Sequence, residues 1–267
     1  MKTKTSSNFV IIICRLDSKR FKFKALQKYK DKTIIEHLVN NILSTNQIKR
    51  ENIVISTSKN KSDEKLKLVA KNLKIKIFRG SKKNIINRIF NTYKKFNIHK
   101  AVITSADNPF FLPDVFNKIK NLDSYAVKYI EQLPVGLNLL NCNFSGISKL
   151  NKNNLTSNNE NGFYLYFTST NLIKKKLIKF RIKKNFKETR FTIDYKKDFE
   201  FYKKVSFLLQ KYKFVPTLKN IMKIIKNFPK IKEINKNQQL MYKANLTINT
   251  NLYYLNKNNK KTFLPYV

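Results

Sequence analysis

The sequence predicts an α/β fold, a mainly parallel sheet with helices on both faces. Two observations carry the prediction. Short Ile- and Val-rich runs of strand length alternate with longer segments whose apolar residues recur at helical spacing, the pattern of repeated βα units. The residues with chemistry to offer then follow those runs closely. That is where loops leave the carboxyl ends of strands, and where open α/β sheets bind ligands.

Taken in order, "NFVIIIC" (8–14) is an unbroken apolar run, as expected of a strand buried on both faces. "NIVIST" (52–57), "IKIF" (75–78), "AVITS" (101–105) and "YAVKYI" (125–130) read likewise as strands. Between them, "TIIEHLVNNILS" (33–44), "DEKLKLVAKNL" (63–73) and "NIINRIFNTYKKF" (84–96) carry one apolar stripe each, which makes them amphipathic helices. From 141 to about 190 the pattern loosens around an Asn-rich loop, "NKNNLTSNNENG". "RFTID" (190–194) reads as a last strand, leading into the helices "KKDFEFYKKVSFLLQKY" and "TLKNIMKIIKNFP". The expected organisation is one domain over 1–235, with 141–190 as its less regular part, and a polar tail of unassigned role over 236–267.

The 267 residues, 42% of them hydrophobic, suffice for a substantial core. A formal charge of +40 would suit a nucleic-acid or anionic-membrane binder. Lysine, however, is spread from end to end together with Asn and Ile, as an AT-rich coding bias produces, and only seven of the 56 basic residues are arginine. Nucleic-acid readers favour arginine for phosphate forks and guanine edges, so no specific nucleic-acid partner is expected, and a basic nucleic-acid-binding protein is kept only as the remoter alternative. No apolar stretch approaches the roughly 18 residues of a membrane span, and no membrane partner is expected. Cys14 and Cys142 show neither metal nor disulfide spacing, which fits a cytoplasmic protein. His37 and His99 are too isolated to suggest a metal pair.

The loop after the first strand, "RLDSKRFKFKAL", brings Arg15, Ser18, Arg20 and Lys24 close together. Arginine supplies forked donors to phosphate oxygens and lysine a compact point charge, so the loop can gather three cations and a hydroxyl around one polyanion. A solvated basic turn is the plain alternative, and the glycine pattern of a P-loop is missing. The other loops add to the first. "FRGSKKNIINR" offers Phe78, Arg79, Gly80, Ser81 and Arg88; "TSADNPF" places Asp107 and Asn108 after a strand. "QLPVGLN" carries Gly136 and Asn138, and "RFTIDYKKDFE" places Arg190 before the expected last strand and Asp194 at its end. Two carboxylates at strand ends facing arginine-rich loops suit a Mg²⁺-nucleotide site, because Mg²⁺ takes one or two protein carboxylates alongside phosphate oxygens and water.

With these loops in view, the chain resembles the cytidylyltransferases that activate sugars as CMP conjugates. It looks most like the spore coat polysaccharide biosynthesis protein F branch, related to acylneuraminate and Kdo cytidylyltransferases. The first-loop pattern R-x-x-S-x-R-L-P-G-K-x-L is matched at Arg15, Ser18, Arg20, Lys24 and Leu26, and an E-H helix start at Glu36 and His37. F-R-G-S…R is matched at Phe78, Arg79, Gly80, Ser81 and Arg88, G-D-x-P at Asp107 and Pro109, and P-x-G-L at Pro134, Gly136 and Leu137. The closing T-x-D-x-x-x-D-hydrophobic-E is matched at Thr192, Asp194, Asp198, Phe199 and Glu200. The matches run in order over residues 8 to about 235; four of the seven arginines (15, 20, 79 and 88) fall within them, and a fifth, Arg190, lies just before the closing one.

The resemblance implies a three-layer α/β/α sandwich with a mostly parallel Rossmann-like sheet, of the nucleotide-diphospho-sugar transferase type. It implies transfer of CMP from CTP to a sugar or sugar acid, with release of pyrophosphate. Arg15, Arg20 and Lys24 would hold the phosphates, and Asp107 and Asp194 would hold Mg²⁺. Ser18, Phe78 to Ser81, Arg88 and Asn108 would line the nucleotide site, with Gly136, Asn138 and Arg190 toward the sugar. In relatives the middle region also contributes to dimer contacts, which brings a homodimer into the expectation. The chain departs from the pattern at Asp17, Lys22 and Phe23, where the family has glycine, proline and glycine, and at Ile103, Asn138 and Leu140. Those departures keep a second reading open, that of a nucleotide-binding relative with weak or no catalysis.

Overall fold

The computed structural model describes residues 8–153, 155–157, 163–241, 252–255 and 261–263. The apolar runs become strands β1 (Phe9–Ile13), β4 (Ile53–Ser58), β5 (Lys76–Gly80), β6 (Lys100–Ser105) and β7 (Val127–Tyr129). A short hairpin of β2 (Lys28–Tyr29) and β3 (Lys32–Thr33) follows the first loop. The helices between the strands are α1 (Ile34–Leu43), α2 (Lys65–Leu73), α3 (Ile85–Lys95) and α4 (Pro113–Ile119). β8 (Leu140–Asn143), α5 (Phe144–Lys152), β9 (Leu155–Ser157), α6 (Phe163–Thr168), β10 (Lys175–Leu177) and α7 (Lys184–Lys187) complete the middle region. α8 (Lys196–Lys211) and α9 (Leu218–Asn227) are the long closing helices, and β11 (Leu252–Leu255) and β12 (Lys261–Phe263) form a small antiparallel sheet with β9.

The central sheet has seven strands in the order β10-β7-β8-β6-β1-β4-β5. All neighbouring pairs are parallel except those made by β8, which runs against both β6 and β7. The fold is therefore the mostly parallel α/β sandwich that the sequence predicts. Alternate residues of each central strand feed opposite faces. Val10 and Ile12 enter a core shared with α1, α2, α4, α8 and α9, while Ile11 and Ile13 enter a second core under α3, α5 and α6. β4 divides in the same way, with Ile53 and Ile55 on one side and Val54 on the other. That two-sided burial explains why these strands read as continuous apolar runs.

Two local corrections bear on the site. "RFTID" is not a strand: residues 190–194 bend at Thr192 and Asp194 and join the sheet region by one isolated bridge between Val135 and Arg190. Its backbone bonds go to loops instead, Phe191 N–H to the Val135 carbonyl and Ile193 N–H to the Asp107 carbonyl. The loosened middle region, conversely, supplies β8 and β10 to the main sheet. Their runs of four and three residues are too short to show a period in the sequence. Among the described residues, no helix is long and apolar enough to cross a membrane.

Candidate active site

Every parallel strand ends at one edge of the sheet, and there the first loop crosses from β1 toward the later motifs. Its path is fixed from below by Asp63, a fully buried carboxylate. Asp63 Oδ1 accepts the Leu16 N–H at 2.8 Å, and Oδ2 accepts the Ser58 N–H and hydroxyl at 3.3 and 2.5 Å. The sequence offered no signal for this role, since Asp63 reads as the start of a helix. Ser18 Oγ accepts the Phe21 N–H at 3.5 Å, which turns the chain. Phe23 then adopts the left-handed conformation, φ 52°, ahead of the single 3₁₀ turn Lys24–Leu26. This is the position at which the family pattern has glycine, so the loop takes the same backbone turn with a residue for which it is strained.

The turn delivers Lys24 between the two carboxylates singled out in the sequence. Lys24 Nζ lies 2.6 Å from Asp107 Oδ2 and 2.7 Å from Asp194 Oδ1. One atom touches both, so the two oxygens are separated by no more than the sum of those contacts. Arg20 Nη2 is 2.9 Å from the same Asp194 Oδ1, and its guanidinium stacks 5.4 Å from the Tyr195 ring centroid. On the inner side, Arg190 Nη2 donates to Asp194 Oδ2 at 2.5 Å. The cluster is graded in exposure: the Asp107 side chain is 19% exposed, Lys24 13%, Asp194 8% and Arg190 fully buried. Burial alone would raise the Asp194 carboxyl, but Lys24, Arg190 and Arg20 around it pull it down to about 2. The Lys24 ammonium is likewise pushed down by burial and held up, on balance, by Asp107 and Asp194.

The remaining residues fall into an open set and a bracing set. Arg15 sits on the open loop, its Nε 3.6 Å from Asp17. Asp17 is also drawn toward Lys82, at 3.4 Å, and toward Asn60, whose Nδ2 donates at 3.4 Å. Its negative charge is thus answered within the loop cluster. Asn108 follows Asp107 with its carboxamide oxygen buried and accepting no hydrogen bond. Arg79 turns back along the sheet edge, donating to the Ser58 and Asn60 carbonyls and pairing with Glu64. Arg88 is buried, and its Nη1 donates to the Ser81 carbonyl at 2.7 Å. Gly80 makes that loop fit, because a Cβ there would meet the Phe78 ring at 2.6 Å and the Arg88 stem at 3.0 Å. Phe78 to Ser81 lie beyond β1 and β4 from Asp107, three strand spacings or about 14 Å along the same edge. Gly136 has φ +98° and packs directly on the Phe191–Thr192 backbone, and Asn138 Nδ2 donates to the Leu133 carbonyl. His37 is structural: its Nε2 meets the Tyr29 carbonyl at 3.1 Å.

The donor set suits a small, hard cation that arrives with a phosphate chain. Among the described residues there is no cluster of three or more His, Cys, Asp or Glu side chains able to hold a metal by themselves. Two converging carboxylates beside loop cations match the way Mg²⁺ is held when phosphate oxygens and water complete its shell.

Residues 9–245 match the cytidylyltransferase family. The chain belongs to that family. It is 30% identical over 108 residues to an uncharacterized protein of Methanocaldococcus jannaschii, a match covering 40% of this chain and 44% of that protein's length. Its fold is similar to that of a solved cytidylyltransferase from Leptospira borgpetersenii, with a TM-score of 0.71 at 20% identity over 85% of this chain and 96% of the other. A solved CMP:2-keto-3-deoxy-manno-octonic acid synthetase complexed with CTP gives a TM-score of 0.54 at 10% identity, covering 77% of this chain and all of the other.

Proposed function

We propose that this cytidylyltransferase-family protein transfers CMP from CTP to a hydroxyl of a sugar or sugar acid, releasing pyrophosphate, in the supply of precursors for a surface glycan. The observation that carries the reading is the meeting of Asp107 and Asp194 on Lys24, with Arg20 alongside. In this reaction the acceptor oxygen forms a bond to the α-phosphorus as the bond from that phosphorus to the pyrophosphate oxygen breaks. Such a step asks a protein for positioning and charge neutralisation above all. Arg15, Arg20 and Lys24 hold the β- and γ-phosphates and take up the charge that grows on the leaving pyrophosphate. Asp107 and Asp194 are the residues that would hold Mg²⁺, which when bound neutralises phosphate charge and makes the attacking hydroxyl more acidic. Ser81 and Asn108 offer neutral polar contacts along the nucleotide, and Gly136 and Asn138 shape the acceptor side. A Mg²⁺-dependent cytidylyltransferase has no need of a covalent enzyme intermediate. The buried thiol of Cys14, pushed up by its burial and by nearby Asp63 and Asp107, offers no nucleophile for one.

Thermal-shift titration with CTP, UTP, ATP and GTP in Mg²⁺ tests the base, and pyrophosphate release over a panel of sugar acids and neutral sugars tests the transfer. The reading expects the largest stabilisation from CTP and release with at least one acceptor. Equal responses to all four nucleotides, or none, would overturn it. Selective CTP stabilisation without release from any acceptor would favour the binding-only reading that Asp17, Lys22 and Phe23 keep open.

A further inference from the structure

Asp194 is gripped at both ends by one residue that faces away from the open edge. Asp198 is 1% exposed. Its Oδ2 accepts the backbone N–H of Asp194 at 2.9 Å and of Tyr195 at 3.0 Å. Its Oδ1 accepts Arg190 Nε at 3.1 Å, and Arg190 Nη2 in turn donates to Asp194 Oδ2. Asp198 therefore fixes the Asp194 backbone directly and the Asp194 carboxylate through a rigid guanidinium, and the three residues close a ring through the Asp194 main chain. A distant segment completes it. Asn235, 37 residues beyond Asp198, donates from Nδ2 to Asp198 Oδ1 at 2.9 Å and to the Arg190 carbonyl at 3.1 Å, and Gln239 Oε1 lies 3.5 Å from Arg190 Nη1. Both are buried.

We propose that Asp198 is a positioning residue for Asp194, and that Asn235 completes its hold, so that the 3₁₀ segment Pro229–Asn235 tunes how well the Asp107–Asp194 pair takes a divalent ion. This rests on the reading of that pair as the ion-holding site. The ring leaves Asp194 Oδ2 occupied from inside and turns Oδ1 toward Lys24 and Asp107. A carboxylate whose rotamer is set before the ion arrives loses little freedom in binding it, and supports of this kind orient metal ligands in general. The nucleotide's phosphates, by contrast, are held by loop cations that Asp198 does not touch. Loosening the ring therefore weakens the ion and spares the nucleotide. The simpler role of Asp198, a cap at the start of α8, predicts a lower unfolding temperature and no such split.

The test uses full-length protein, Mn²⁺ as the spectroscopic stand-in for the ion, and CTP without acceptor so that no turnover occurs. Asp198→Asn keeps the shape but removes the charge and one acceptor, and Asn235→Ala removes the remote donor. The expected result is Mn²⁺ affinity in the CTP complex at least tenfold weaker for Asp198→Asn and threefold or more weaker for Asn235→Ala. CTP affinity in EDTA should stay within twofold of the parent in both. Unchanged Mn²⁺ affinity, or Mn²⁺ and CTP affinities falling together with the unfolding temperature, would overturn the positioning role. If Asp198→Asn does not fold, Asn235→Ala carries the same comparison. A parent protein that takes up no Mn²⁺ with CTP would overturn the proposed function itself, an outcome read before any variant is made.

Discussion

The backbone N–H of Ile193 donates to the carbonyl of Asp107 at 2.9 Å. That bond ties the loop leaving β6 to the segment carrying Asp194, and it does so through the main chain, from the residue before Asp194 to Asp107 itself. The approach of the two acids is thus a property of the fold, with Lys24 added from a third loop. Gly136, pressed on Phe191 and Thr192 from the other side, keeps the segment in place.

On the proposed function Asp107 and Asp194 hold one ion together, so Asp107→Asn should lower Mg²⁺-dependent pyrophosphate release by about two orders of magnitude, the scale for losing one preorganised electrostatic group. Asp194→Asn should do likewise, and the double variant should be little worse than either single, since groups that act as a unit are not additive. Asp194→Asn should also cost more stability, because it leaves Arg190 and Lys24 with fewer counter-charges in a more buried place. Multiplicative losses in the double variant would show the two acids acting separately.

The depressed Asp194 carboxyl sets an acid limit. A carboxylate held below its unfolded value contributes stability that is complete above about pH 4 and is lost as the pH falls through its folded value of about 2. The contribution is about 2 kcal/mol for a shift of that size. Chemical unfolding followed from pH 5 to pH 2 should therefore show a fall in stability that is smaller in Asp194→Asn. Parallel curves for the two proteins would remove Asp194 from the acid response.

How much of this was legible beforehand follows from what each residue does locally. β1, β4 and β6 were plain because burial on two faces leaves an unbroken apolar run, and α1 because its apolar residues recur as one stripe at helical spacing. Asp107, Lys24, Arg20 and Asp194 stood out because they sit just past such elements in family motifs. β8 and β10 were hidden by their length. The 190–194 segment passed for a strand because Phe191 and Ile193 alternate with polar residues, and that spacing reads the same whether the backbone pairs with a strand or with loops. Asp63 and Asn235 were missed for a different reason. Each acts on a backbone group or side chain far away in sequence, and nothing in their own neighbourhoods marks a buried hydrogen-bonding role.

Arg15 offers a test of the open loop. Its pairing with Asp17 is long and partly exposed, so Arg15→Ala should change stability by less than about 1 kcal/mol. CTP affinity should fall by about 1.5–3 kcal/mol, the range for a hydrogen bond to a charged group. Isothermal titration giving the same CTP affinity as the parent would remove Arg15 from the phosphate clamp.

Gly136→Ala tests the support behind Asp194. The added Cβ would sit 2.4 Å from the Thr192 nitrogen and 2.5 Å from the Phe191 carbonyl carbon, at a φ of +98° that disfavours any side chain. Both effects press on backbone, which cannot swing aside as a side chain can. A loss above about 2 kcal/mol in chemical unfolding is expected, with weaker Mn²⁺ uptake in the CTP complex because the push is directed at the Asp194 segment. A variant as stable as its parent would mean that the contact relaxes at no cost.

Lys24 gives the most direct test of how the site works. Its ammonium touches both residues proposed to hold the ion, Asp107 and Asp194, and a cation held directly between them would compete with it for that space. Without nucleotide, an arriving ion must displace Lys24 and leave it buried beside a second positive charge. With nucleotide, the triphosphate offers Lys24 a new partner, and the ion brings its own charge to the pair in exchange. Free Mn²⁺ should therefore bind the parent weakly and bind its CTP complex far more tightly. Lys24→Gln removes the competing charge but keeps a polar side chain of similar length. It should bind free Mn²⁺ at least tenfold more tightly than the parent, while its CTP affinity in EDTA falls by about tenfold, as for a lost charge-assisted contact. Paramagnetic resonance of Mn²⁺ titrated into each protein, with and without CTP, reads all four affinities. If free Mn²⁺ binds parent and variant alike, Lys24 does not stand in for the ion, and its place between Asp107 and Asp194 is structural.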